Sequence, residues 1–218
     1  YPKGSINPAQ KPQGGIEFYA SPLPLSALPS LPMQGDTRES PLGTPATNVT
    51  LRYSVFFPKD FDWVLAGKLP GLYGGHTGCS GGNAALDCFS TRLMWRKDGL
   101  GELYLYAAKD KQTDALCDAP TSVCDAAYGF SVGRGSFAWS AGAWTTVEQT
   151  VVLNTPGKQD GWFSLDVNGK RVIHVGGVFY RDTRPCSFVP LPSTFFGGHD
   201  EKYATPRDQY VWFKDFAL

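Results

Sequence analysis

The chain has 218 residues, enough for one domain with a sizeable core, and it sets 20 Lys or Arg against 20 Asp or Glu. Zero formal charge argues against non-specific binding to nucleic acid or to a membrane surface, so any attraction to an acidic ligand must come from a local cluster. Aromatics at 14%, with 25 Gly and 17 Pro, fit many short strands joined by tight turns, and no apolar run is long enough to span a bilayer as a helix.

Residues 1–47 are rich in Pro, Ser and Gly, and Ser21 to Pro32 repeats Pro and Leu. This stretch is expected to wrap the domain as irregular chain plus an edge strand, because Pro cannot donate to a central ladder. The start at Tyr1 is what a processed, exported chain would show, and Asn48-Val49-Thr50 is a glycosylation sequon consistent with export. From Asn48 the strand signals begin. Leu51, Tyr53, Val55 and Phe57 alternate with polar residues. Gly67 to His76 reads Gly-Lys-Leu-Pro-Gly-Leu-Tyr-Gly-Gly-His, where Gly71, Gly74 and Gly75 could be turn formers.

Cys79 and Cys88 bracket a Gly-rich loop, and Cys117 and Cys124 bracket another, so each pair is close enough for a local disulfide, with Cys186 left over. Zinc is the competing reading, but the spacings are not zinc-like and His is scarce. Ser90 to Arg96 and Glu102 to Ala108 read as two strands around a turn-like Lys97-Asp98-Gly99-Leu100-Gly101. Alternation puts Ser90, Arg92, Met94 and Arg96 on one face with Glu102, Tyr104 and Tyr106, and it buries Leu93, Trp95, Leu103 and Leu105 on the other. A symmetric turn would set Arg96 opposite Glu102, Met94 opposite Tyr104 and Arg92 opposite Tyr106. Further strands are expected over Thr145–Leu153 and over Trp162–Val167 and Arg171–Val175. The last two flank Asn168-Gly169, a type I′ hairpin signal. Tyr210–Phe216 is the final strand expected. No segment shows a sustained helical period. The expected fold is a single all-β domain over 1–218, an antiparallel two-sheet sandwich of jelly-roll type with a concave substrate cleft.

Arg–Tyr ladders on exposed sheet faces are common without function, so pattern alone leaves the face of Arg92 open to both readings. The residues nevertheless resemble polysaccharide lyase family 14, which includes alginate lyases and lyases of glucuronate polymers. The resemblance rests on Gly67-Lys-Leu-Pro-Gly-Leu-Tyr-Gly-Gly75, Ser90-x-Arg92 and Tyr104-x-Tyr106, supported by Ser193-Thr-Phe-Phe-Gly-Gly198 and Asp208-Gln-Tyr-Val-Trp-Phe-Lys-Asp-Phe216. It implies a β-jelly roll and an active site of Lys68, Ser90, Arg92, Tyr104 and Tyr106. The two Cys loops and the Pro-rich start look like departures.

β-Elimination at a uronate needs the C6 carboxylate neutralised, the C5 proton removed and the O4 leaving group protonated. Arg92 suits the first task through paired hydrogen bonds, and Ser90 could add one. Lys68 as base with Tyr104 or Tyr106 as acid is preferred, and the reverse assignment stays open. Unperturbed Lys and Tyr titrate near ~10, so neighbouring cations (Lys68, Arg92, Arg96) must lower whichever serves as base. Tyr73 and Trp139 could stack on sugars, whereas Trp95, Trp162 and Trp212 are read as core. His76, Arg96, Arg134, Arg181, His199 and Asp200 are candidates for the cleft and its rim. The chemistry calls for no cofactor, and the expected partner is an acidic polysaccharide met by a secreted monomer.

Three rivals remain. A glycoside hydrolase needs two carboxylates across the bond, and Glu148 and Asp166 sit singly. A non-catalytic binding module would need the aromatics and Arg92 but not the Lys68 and Tyr pair. A structural-calcium sandwich could use Asp118 and Asp125.

Overall fold

Alternation of apolar and polar residues resolves into fourteen strands in the computed structural model, which describes residues 1–20, 47–75, 78–118, 121–124, 127–182 and 188–218. In chain order they are β1 (Ile16–Glu17), β2 (Asn48–Phe56), β3 (Ala66–Leu69), β4 (Gly71–Gly75), β5 (Cys88–Arg96), β6 (Leu100–Tyr106) and β7 (Val123–Cys124). The rest are β8 (Phe130–Ala138), β9 (Trp144–Val152), β10 (Gly161–Val167), β11 (Lys170–Val178), β12 (Phe188–Leu191), β13 (Ser193–Phe196) and β14 (Trp212–Ala217).

These strands form two antiparallel sheets. A nine-stranded sheet runs β1-β13-β3-β5-β6-β8-β7, with β4 also paired to β5 and carrying β12. A five-stranded sheet runs β11-β10-β9-β2-β14. Their inner faces meet in one apolar core, which takes Leu51, Tyr53 and Val55 from β2, Leu93 and Trp95 from β5, Leu103 and Leu105 from β6, and Val147 and Val151 from β9. The expected two-sheet β-sandwich is therefore present. The edge strand expected in the first 47 residues is β1, at the rim of the larger sheet beside β13. The Pro- and Leu-repeating stretch Ser21 to Pro32 lies outside the described residues.

Two turns fix register. Asn168 and Gly169 both adopt positive φ (50° and 78°), the left-handed pair that a type I′ turn requires, and Val167 pairs with Lys170. Asp98 and Gly99 do the same (61° and 77°), and the Leu100 N–H bonds the Lys97 carbonyl. This tight turn corrects the expected β5–β6 register. Ser90 pairs with Tyr106, Arg92 with Tyr104 and Met94 with Glu102. The slip is two residues, an even number, so every side chain keeps its predicted face.

Three tryptophans are corrected. Trp139 is buried in the core, its Nε1 donating to the Met94 carbonyl at 3.0 Å, so it cannot stack on a sugar. Trp212 is about half exposed, because β14 is an edge strand and its outward face leaves the ring beside Phe56 and Tyr210. Trp162 is also not core: it alternates with the core residues Phe163 and Leu165 and lies half-buried beside His174, while Trp95 is fully buried as expected.

Candidate active site

Lys68 is placed by a break in a strand. β3 and β4 both pair with β5, and Pro70 separates them. The Pro70 carbonyl accepts from Tyr53 Oη at 3.0 Å and Gln149 Nε2 at 3.2 Å, both reaching from the opposite sheet. Gly67 precedes Lys68 because the Trp95 ring lies where a Cβ would stand, at 1.9 Å. Gly71 is a close-approach residue rather than a turn former, since a Cβ there would meet the Thr91 carbonyl oxygen at 2.4 Å. These contacts pin the β3–β4 segment, and the Lys68 side chain emerges on the face away from the core.

On that face β3, β5 and β6 bring the predicted residues together. Lys68 Nζ lies 3.1 Å from the centroid of the Tyr104 ring and donates to Met94 Sδ at 2.8 Å. The Tyr104 and Tyr106 rings are 5.7 Å apart, Arg92 stands 5.9 Å from the Tyr106 ring, and Arg96 stands 5.9 Å from the Tyr104 ring. The Tyr106 hydroxyl accepts the Gly82 N–H at 3.1 Å, and the Tyr104 and Tyr106 phenols hydrogen-bond each other. Ser90 has a structural partner: its hydroxyl donates to the Cys79 carbonyl at 3.0 Å and anchors the Cys79–Cys88 loop to β5. Tyr73, opposite Ser90 on β4, packs against the cluster that holds Tyr106, and its ring meets that of Tyr19 at 4.9 Å with a 59° tilt.

Two carboxylates complete the cluster. Glu102 is wholly buried and takes Arg96 Nε at 2.8 Å, Arg134 Nε at 2.9 Å and Ser131 Oγ at 2.6 Å. Burial pushes its carboxyl up, but the Arg96 hydrogen bond and charge, with Ser131 and Arg134, outweigh this and hold it below the usual value. Arg134 thus joins the site through Glu102. Glu17, from the edge strand, reaches Arg92 Nη1 at 3.3 Å. No local pattern points to Glu17, because the β1–β13 pairing that delivers it joins residues 176 apart.

Burial, reinforced by Arg92 and Arg96, holds the Lys68 ammonium well below its ordinary value, with Glu102 and Glu17 opposing. Burial and the adjacent Tyr106 push the Tyr104 phenol up, so it keeps its proton. The two shifts run in opposite directions, a pattern that separates a base from an acid.

Among the other candidates, Arg181 Nε bonds the Asn154 carbonyl at 3.2 Å, tying the chain after β11 to the end of β9. His199, after β13, faces Tyr128 at 5.8 Å, and Asp200 pairs with Lys202. His76, Cys186 and Asp125 fall outside the described residues, as does the Asp118 side chain. Both expected disulfides are present, with Cα–Cα distances of 5.9 Å for Cys79–Cys88 and 5.7 Å for Cys117–Cys124. Among the described residues no group of three His, Cys, Asp or Glu converges as a metal site.

Lys68, Arg92, Arg96, Tyr104 and Tyr106 thus cluster on one face of the larger sheet. The polysaccharide lyase 14 family model matches residues 1–216, and the chain belongs to that family and is a polysaccharide lyase. The chain is 36% identical to an alginate lyase of this family from Aplysia kurodai, with a TM-score of 0.79 over 99% of this chain and 79% of that one. An alginate lyase from a Chlorella virus shares the fold at 24% identity and TM-score 0.75, covering 99% of this chain and 81% of that one. An endo-β-1,4-glucuronan lyase from the fungus Trichoderma reesei is similar at 12% identity and TM-score 0.52, over 79% of this chain and 68% of that one. No curated protein matches the chain.

Proposed function

We propose that the protein is a secreted lyase of a uronic acid polysaccharide, an alginate or a glucuronan, acting by β-elimination. Arg92 receives the C6 carboxylate and stabilises the charge that builds there as C5 loses its proton. Lys68 Nζ takes that proton. The electron pair left on C5 forms the C4–C5 double bond as the C4–O4 bond breaks. Tyr104 or Tyr106 gives its phenolic proton to O4. Lys68 then returns its proton to solvent and the phenol is reprotonated, so the cycle balances without a cofactor.

The observation that carries this reading is the Lys68 amine, buried and depressed in pKa, 3.1 Å from the Tyr104 ring centroid and on the same face as Arg92. The depression supports Lys68 as base, since an ordinary lysine near ~10.4 is protonated at neutral pH. The elevated Tyr104 phenol suits an acid. The two disulfides and the polysaccharide-lyase family support export, and exposed Asn48 at the start of β2 is open to glycosylation.

The test is incubation with alginate, polyglucuronate and a neutral glucan, following ultraviolet absorbance of the unsaturated ends. Absorbance rising with a polyuronate and not with the glucan is expected. New reducing ends without absorbance would mean hydrolysis, and binding without cleavage would mean a non-catalytic module.

A further inference from the structure

We propose that Glu17 is an internal substitute for the substrate carboxylate: it occupies the anion seat on Arg92 in the free enzyme, and an incoming uronate must displace it. The identity of that ligand rests on the elimination reading above.

The geometry is specific. β1 is held to β13 by the Ile16–Thr194 and Glu17–Ser193 pairs, and the chain continues along the same edge through Phe18 N–H to Pro192 O (3.0 Å) and Ala20 N–H to Pro190 O (3.1 Å). That backbone fixes Glu17 over the sheet. Its Oε2 accepts from Ser193 Oγ at 2.8 Å and meets Arg92 Nη1 at 3.3 Å. The Arg92 side chain is 3% exposed and the Glu17 side chain 35%. The guanidinium is sealed, and the carboxylate paired with it is the part that solvent reaches.

The occupant is a weak one. A single 3.3 Å contact uses one corner of a guanidinium built for paired bonds, and Arg92 Nε is buried without a hydrogen-bond partner among the described residues. A uronate carboxylate that engages two N–H groups satisfies Arg92 better than Glu17 does. A neutral sugar cannot make the exchange, because it would leave a buried arginine unpaired. Glu17 therefore acts as a specificity-determining residue that admits acidic units and rejects neutral ones.

Glu17 also faces Lys68, together with Arg92 and Arg96 of β5 and Glu102 and Tyr104 of β6. Removing its charge strips one anion from the surroundings of the Lys68 ammonium, which makes the neutral base available at lower pH.

The test compares Lys68→Ala protein, which cannot consume its ligand, with the same protein carrying Glu17→Gln, titrated calorimetrically with polyglucuronate and polymannuronate oligomers and with a neutral glucan. Glu17→Gln is expected to tighten polyuronate binding by roughly three- to tenfold at low salt. Glu17→Asp, one methylene too short to hold Arg92, is expected to move binding the same way and serves if the glutamine variant unfolds. With Lys68 present, Glu17→Gln is expected to shift the acid limb of kcat/KM to lower pH. Unchanged or weaker polyuronate binding, or a limb that stays in place, overturns the proposal. Failure of the parent enzyme to form unsaturated ends would instead remove the elimination reading and leave the affinity comparison standing.

Discussion

The two sheets present outward faces built by the same alternation and finished with opposite chemistry. On the nine-stranded sheet Lys68, Arg92 and Glu102 point away from the core and are nevertheless buried. On the five-stranded sheet Trp212, Phe56 and Trp144 form a cross-strand row on β14, β2 and β9, with Arg52–Glu148 and Arg171–Asp166 as neighbouring ion pairs that reach solvent. Charge in the first setting is costly unless it is paired, and it shifts the protonation of its neighbours; charge in the second is screened. A face becomes a site when its ionisable groups lose water, a property that strand periodicity does not encode.

Substitutions on the two faces test that contrast. The largest effect is expected at the reacting groups. Lys68→Ala is expected to lower turnover by roughly 10²–10⁴-fold, and Tyr106→Phe to lose most activity, with both remaining folded by circular dichroism. Either variant turning over at close to the parental rate would remove that residue from the mechanism. The buried carboxylate comes next. Glu102→Gln leaves Arg96 and Arg134 without their common anion, and because both arginines reach solvent the cost falls at the low end for buried pairs, about 3 kcal/mol. Thermal denaturation should show a drop of roughly 6–12 °C.

A pH series sharpens the contrast further. Activity is expected to fall on acidification as Lys68 takes up a proton in the fold. Because its folded pKa is depressed, the unfolded chain binds more protons at this position between that value and the ordinary ~10.4. Through that window the parent should gain stability relative to Lys68→Met as pH rises, and parallel stability curves would contradict the buried, depressed amine. The smallest effect belongs to the other face. Asp166→Asn removes an exposed pair with Arg171 and should change stability by less than ~1 kcal/mol.

Much of this arrangement was legible in the sequence. Period-two alternation placed Arg92, Met94, Arg96, Tyr104 and Tyr106 on one face, and the two-residue register slip left that assignment intact because two is the period of a strand. The Asp98-Gly99 pair marks the turn but not the register: a two-residue loop would pair Arg96 with Gly101, whereas Gly101 pairs with Trp95. Strand β8 was not visible, since Gly133 and Gly135, both at positive φ, interrupt its apolar pattern. Trp212 and Trp139 exchanged their expected places because ring size does not report whether a strand lies at a sheet edge. Glu17 depends on a pairing between the two ends of the chain, which local pattern cannot supply.

The most direct measurement compares one substitution from each face, Lys68→Ala and Trp212→Ala, by the rate at which ultraviolet absorbance of unsaturated ends appears on a polyuronate. The account predicts that Lys68→Ala, folded as judged by circular dichroism, nearly abolishes the signal while Trp212→Ala stays close to the parent. A Lys68→Ala enzyme that still eliminates at the parental rate would contradict it.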